Sequence, residues 1–277
     1  MTRALLYHTS LIQTVPTAQA EVVGRALALG REEGRYASVV RVFMPVLKRI
    51  PPSAELMWFV PDAIRALLLN GEAIAAEGWF ALLRASALFN KESDQAMTRL
   101  MPIVRLMGSP EAAEWSTSKL PDWWESVKDT QGAPADAALL YSLFDALGDP
   151  VPPQLWNDLV TGTGRKPVTM PHPALWLRLI EATEAVRKGR PEMSTKMARS
   201  TEAAADAKAS DALANGPPGP RRRVAETVLL SLLALGEAGP AGADPLLIRQ
   251  VLISLRAAGF EKEARAMAVE AALAAGL

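Results

Sequence analysis

The chain has 277 residues, 49% of them apolar and 22% charged, enough to bury a large core as one elongated domain or two compact ones. Thirty basic and thirty acidic residues cancel, which leaves no global field to recruit nucleic acid or an anionic membrane. The absence of cysteine removes disulfides, thiolate metal sites, Cys nucleophiles and redox switching together, without fixing the compartment.

Residues 3 to 14 read as a first helix, with Leu5, Leu6, Leu11 and Ile12 on one face because six and seven residues make about two turns. Pro16-Thr17 then breaks the chain, and Thr17 is the expected N-cap of a second helix with Glu21 in its opening turns. Ala18-Gln19-Ala20 has the form of an export cleavage site. A signal peptide, however, needs a basic start and an uninterrupted apolar stretch. Here only Arg3 is basic, and His8, Thr9, Ser10, Gln13 and Thr14 interrupt the stretch. The expectation is therefore helix at 18–20 and residence in the cytoplasm, with the periplasm as the alternative if residues 1–20 were a signal. The first helix also looks like the second half of a hairpin, which calls for more chain upstream, a partner or self-association to cover it.

From there almost every segment has apolar residues spaced by three or four, broken by Gly or Pro every 12 to 18 residues. Gly34, Gly71 and Gly108 are spaced by 37 and 37, each between two helical runs. Five residues on stand Val39, Ala76 and Ala113; nine on stand Phe43, Phe80 and Thr117. Glycine suits the C-cap, the small residue lets two helices approach, and the aromatic fills the gap between hairpins. "FMPVLKRI" from 43 and "LMPIVRLM" from 100 each carry a Pro inside an apolar helical run, which points to kinks that shape the array.

These features resemble the tetratricopeptide repeat, a helix-turn-helix unit of 34 residues with glycine at the turn, alanine five on, an aromatic nine on and a closing proline. Phe43 with Pro51, and Phe80 with Ala76, match well; the unit after Gly108 matches poorly. The repeat's leucine-glycine pair appears here as Ala26-Leu27, Ala63-Ile64 and Leu100-Met101, and a competing alignment of "RALALG" with "RALLLNG" gives an offset of 40. The resemblance implies an all-α, right-handed alpha-solenoid of helical hairpins, irregular in its middle.

The middle supports a further hairpin, "LLYSLFDALGDPVPPQLWNDLV" from 139, turned at Gly148-Asp149-Pro150. A loop follows at 161–173, then an amphipathic helix from 175. Residues 192–207 are Ala-rich and polar, and 208–223 form the best linker, ending in a proline-glycine break before Arg221-Arg222-Arg223. The longest apolar run, "VLLSLLALG" at 228–236, is far short of the roughly 20 residues that span a bilayer. The last stretch reads as a hairpin turned at Gly259, with Ala264, Ala268 and Ala271 in its second helix and Glu261 and Glu263 in that helix's first turn. It is similar to the tails of bacterial helical-repeat proteins, which implies no activity. The expected organisation is repeat-like hairpins over 1–127, an irregular helical region over 128–207, a linker over 208–223 and a C-terminal hairpin region over 224–277.

Sites of chemistry are sparse. His8 and His172 are far apart with no His-x-x-x-His or Glu-x-x-His pair, which argues against a catalytic zinc centre. "GTGRKP" at 162–167 lacks both the Ser/Thr after Lys and the preceding strand of a phosphate loop. The tryptophans at 58, 79, 115, 123 and 124 are expected to pack between hairpins; Trp58 and Trp124 each neighbour an aromatic that would turn to another face, so one of each of these two pairs is expected to be exposed. No cofactor or metal is expected. By the repeat resemblance, a protein or peptide partner would lie in a concave groove lined by first helices, contacted by Trp58, Arg65, Arg99 and Arg105, with Arg31 near the rim. Arginines there would fork onto carboxylates. The reading is thus a non-catalytic scaffold for protein-protein interaction. Its rival is a helical hydrolase with a site in the 140–180 region containing His172 and buried acids.

Overall fold

The computed structural model describes residues 2–108, 115–162, 173–189, 220–237 and 239–277. Among the described residues all regular structure is helical, in thirteen α-helices. They are α1 (Thr2–Ile12), α2 (Pro16–Glu32), α3 (Tyr36–Leu47), α4 (Val60–Leu69), α5 (Ala73–Ala87), α6 (Lys91–Met107) and α7 (Leu120–Val127). After these come α8 (Ala133–Leu147), α9 (Pro153–Gly162), α10 (Pro173–Gly189), α11 (Pro220–Leu235), α12 (Pro245–Ala258) and α13 (Glu261–Ala274). A 3-10 turn, Ala54–Phe59, leads into α4.

The spacing of the glycines has a direct structural counterpart. Gly34, Gly71 and Gly108 take φ of +65°, +75° and +72°, a left-handed conformation open to glycine at little cost. At Gly34 the amide of Arg35 donates back to the Gly30 carbonyl at 2.7 Å and the Gly34 amide to Arg31 at 3.1 Å, closing the carboxyl end of α2. At Gly71 the same pair of bonds joins Glu72 to Leu67 and Gly71 to Leu68. The positions five and nine residues on are core: Val39, Ala76, Phe43 and Phe80 are all buried, on α3 and α5. Gly30 lets α3 come close, since a Cβ there would lie 3.0 Å from a Val39 methyl. Ala113 lies outside the described residues, and Thr117 opens a short 3-10 turn before α7.

The prolines at 45 and 102 sit inside helices that run on without a break, α3 and α6. The hairpin expected around 148 is present as α8 and α9, and the helix from 175 is α10. Three local expectations need correction. Helix α2 begins at Pro16 with Val15 at the N-cap and no side-chain cap, because proline's fixed φ already suits the first helical position; Thr17 is inside the helix. In α1 the face turned inward carries Leu6, Tyr7 and Ser10, while Leu5, Leu11 and Ile12 point outward at 66%, 42% and 78% exposure. On that face Tyr7 sets its ring edge-on to Phe43, with centroids 5.6 Å apart. Helix α11 starts at Pro220, inside the stretch read as linker, so the three arginines fall in its first turn.

Successive helices pack in chain order from α1 to α7, and α8 pairs with α9. The C-terminal part then folds back. Helix α12 packs on α8, α10 and α11, and α13 lies against α3, α4, α6 and α8 as well as α12. An open superhelix has only nearest-neighbour contacts between repeats; α13 adds contacts across them. The buried apolar residues form one cluster that runs from Ala20 in α2 to Leu273 in α13. Ala18, Gln19 and Ala20 are helical, with Ala20 in that core and Gln19 donating through Nε2 to the Gln13 carbonyl at 2.7 Å. Among the described residues no helix is long and apolar enough to cross a membrane.

Within the core, Tyr141 on α8 is held edge-on between Trp123 of α7 and Trp156 of α9, at 6.3 and 5.6 Å. Burial, with Asp158 adding to it, pushes its phenol up from the ordinary value to about 12. A tyrosine harder to ionise folded than unfolded contributes stability that is complete below the unfolded value near 10 and is lost as pH climbs toward 12. Denaturant unfolding between pH 9 and 12 should therefore show Tyr141→Phe losing less stability than the wild-type chain. Parallel losses would refute the burial of an ionisable phenol here.

Candidate partner-binding surface

The five side chains singled out from the repeat resemblance do not line one open groove; each is engaged differently. Arg65 on α4 donates from Nε to the main-chain carbonyl of Leu277 at 3.1 Å, with Asp62 3.8 Å from its Nη1. Burial pulls its guanidinium below the ordinary arginine value, and Asp62 opposes that pull. Arg99 on α6 donates to the Ser126 carbonyl at 2.6 Å, fastening α6 to the end of α7. Arg105, also on α6, forks onto Asp149 in the α8–α9 turn at 2.8 and 3.1 Å, the bidentate geometry in which arginine is strongest. Trp58 is 54% exposed, lies against Phe59 with centroids 5.5 Å apart, and covers Gly24. Arg31, at the carboxyl end of α2, pairs with Asp62 at 2.5 Å and stacks over the Tyr36 ring at 4.9 Å. Burial works against the Arg31 charge, but Asp62 and Tyr36 outweigh it and raise its pKa. Only Arg31 and Arg65 meet, through their shared Asp62.

The reason is the position of α13. It occupies the side of the array formed by α4, α6 and α8, the first helices of their hairpins. Ala264, Ala268, Ala271 and Ala272 are almost wholly enclosed, and such small side chains let helix axes approach closely. Two arginines fix this hairpin in place. Arg265 donates from Nη1 to the Leu106 carbonyl at the end of α6, and Arg256 from Nη1 to the Ala146 carbonyl at the end of α8. Each cation thus sits at a helix carboxyl end, where the macrodipole favours it. Glu261 joins them, accepting from Arg256 Nε at 2.7 Å and facing Arg265 Nη2 at 3.0 Å. The sequence places Glu261 in the first turn of its helix but carries no signal for the carbonyls of Ala146 and Leu106 that Arg256 and Arg265 reach, 110 and 159 residues away.

An open surface lies beside α13. Two depressions, of about 490 and 270 Å³, each border Leu69 and α13; together they are termed the trough. One wall is the row of turns: Gly34 to Ser38, Leu68 to Gly71, and Met107. The other is α13, with Lys262, Glu263, Ala266 and Val269 along the larger part and Glu270 and Ala274 along the smaller. Its floor is apolar at Leu68, Leu69, Met107 and Val269. Its smaller end opens on the amino terminus of α3, where Arg35 is the N-cap residue and, among the described residues, no side chain caps the first amides. Arg31 and Arg35 flank that end. Tyr36, also a lining residue, has a hydroxyl buried without a hydrogen-bond partner among the described residues; burial raises its pKa, and the Arg31 cation, set over the ring face, opposes the rise.

Among the described residues no three His, Asp or Glu side chains gather as a metal site would require. His172 and most of the Gly-Thr-Gly-Arg-Lys-Pro loop lie outside the described residues. Of the acids in the 140–162 part of the hydrolase candidate region, Asp145 is paired with Arg249 and Asp149 with Arg105. Comparison with profiles of known protein families, with curated proteins and with solved structures returns no match to the chain.

Proposed function

We propose that this chain is a non-catalytic scaffold of tetratricopeptide-like helical hairpins, which holds a peptide segment of a protein partner in the trough between the turn row and α13. The observation that carries this reading is the trough itself: an apolar floor bordered by polar side chains and bare helix-end amides on a rigid helical frame. Recognition of extended segments uses such a combination, with pockets for side chains and polar groups for the main chain and its charges. The inner face named by the repeat resemblance is less suited to that role, because α13 already covers it.

Ala266 offers a clean test. It is exposed on α13 and lines the larger depression, so Ala266→Trp fills the trough without entering the core. Peptides selected from a random heptapeptide library on the wild-type protein should bind the Ala266→Trp protein at least tenfold more weakly, by fluorescence anisotropy, at unchanged melting temperature. Selection of no binder, or binders indifferent to Ala266→Trp, would remove the trough from consideration.

A further inference from the structure

We infer that the outer face of α11 is where two copies of this chain pair, antiparallel, about a two-fold axis. Helix α11 packs on α10 and α12, and its buried residues Thr227, Leu230, Ser231 and Leu235 share one face. The opposite face carries Leu229, Leu232 and Leu233, which are 59%, 58% and 53% exposed. Ala225 and Gly236, also exposed, continue it at either end. The run Ala225, Leu229, Leu232, Gly236 has spacings of four, three and four. That is the seam of a two-helix coiled coil rather than a scatter of single surface leucines. Small residues at the ends of the seam let a second helix lie close while the leucines meet at its centre.

Charge decides what covers the seam and in which direction it runs. Arg221, Arg222 and Arg223 stand in the first turn of α11, where the helix macrodipole disfavours cations. Glu237 is exposed just past the carboxyl end, where the dipole disfavours anions, and the last turn of α11 holds no basic residue. An antiparallel second copy sets its own carboxyl end and Glu237 beside this arginine end, and the reverse holds at the other end of the seam. One symmetry operation thus relieves both mismatches in both copies, as an isologous contact does. A parallel pair would instead bring the two arginine ends together. An anionic lipid surface fits less well, because Glu226 and Glu237 are exposed beside the leucines and would face its headgroups. At the rim of a helix pair both stay in water. A seam of about four turns falls at the low end of specific interfaces, ~1,200 Å² or less, so the pairing is weak and depends on concentration.

Sedimentation equilibrium of the full-length chain is the test. The weight-average mass is expected to climb from 29.7 kDa toward twice that value between about 1 and 300 µM, the range of a small interface. Leu232→Glu should raise the dissociation constant at least tenfold. Glu237→Arg should raise it severalfold, by a factor that shrinks in high salt. Ile12→Glu, on the exposed face of α1, should leave it unchanged. All three positions are exposed, and circular dichroism checks that the variants keep the fold. The chain has no cysteine, so oxidation of single-cysteine variants reads the orientation. With the axis between Leu229 and Leu232, Leu229→Cys should cross-link. Ala225→Cys should not, since Ala225 lies opposite Gly236, eleven residues or about 16 Å from its own counterpart. A mass that stays at 29.7 kDa throughout, a dimer indifferent to Leu232→Glu, or cross-linking of Ala225→Cys in preference to Leu229→Cys would overturn the proposal. So would a monomer that binds phosphatidylglycerol vesicles and loses that binding with Leu232→Glu, which would assign the face to lipid.

Discussion

Ala268→Glu is expected to lower the unfolding free energy by roughly 3 kcal/mol or more, enough to abolish cooperative folding in a marginally stable protein. Ala268 is fully enclosed on α13, the helix that touches α3, α4, α6 and α8. Among the described residues, Arg65 already holds Leu277, and Arg256 and Arg265 already hold Glu261, so none of these cations is free to pair with a carboxylate there. The buried charge would either stay uncompensated or push α13 away and expose the apolar faces beneath it. Ala266→Glu is the matched control, two residues away but exposed, and should shift stability by no more than about 0.5 kcal/mol. Urea unfolding followed by circular dichroism separates the two. Equal, small effects would mean that α13 is a peripheral helix and not the element that closes the array.

Phe59→Ala is expected to cost about 3 to 5 kcal/mol, the range for removing a buried aromatic ring and leaving a cavity. Phe59 ends the 3-10 turn before α4, is wholly buried, and meets Trp79 of α5 edge-on at 5.9 Å and Trp58 at 5.5 Å. Two rings and the α4–α5 hairpin lean on it at once, so the site has little freedom to collapse. Trp58→Ala, one residue earlier, should cost no more than about 1 kcal/mol, since Trp58 is 54% exposed. Thermal and denaturant unfolding of the two variants measure the contrast, and a reversed order would refute the assignment of Phe59 to the core.

That contrast also shows how far local pattern reaches. Adjacent aromatics on a helical turn point to different faces, and Trp58, exposed beside the buried Phe59, meets the expectation drawn from that spacing, whereas Trp79 and Phe80 on α5 are both buried because that helix packs between α4 and α6. Trp123 is buried and Trp124 partly so. The same holds for Gly34, Gly71 and Gly108: a residue that stops a helix by taking positive φ is recognisable wherever it stands. Where a helix had two plausible faces, pattern misled. In α1 Leu5, Leu11 and Ile12, three of the four residues that looked like a core stripe, are outside, while Leu6, Tyr7 and Ser10 face α2 and α3.

The candidate site was only partly legible. Arg31 lines the trough as well as pairing with Asp62, whereas Arg99 and Arg105 serve as struts between neighbouring elements. Arg35 and Glu270 went unremarked, since an exposed charge carries no signal until the opposite wall is known. That wall is α13, and nothing in its own residues says which distant helices it meets.

By itself, then, the sequence determined the all-α class, the places where helices turn, the alanine face of α13 and the absence of cysteine chemistry, because each of these follows from a residue's own conformational or chemical limits. The tertiary structure alone decided that α13 returns across α4, α6 and α8, that Arg256 and Arg265 close helix ends more than a hundred residues away, and that the open surface is a trough beside α13. Those outcomes depend on which complementary surfaces meet after the chain has folded back, and contacts between residues so far apart leave no periodic trace in the order of the amino acids.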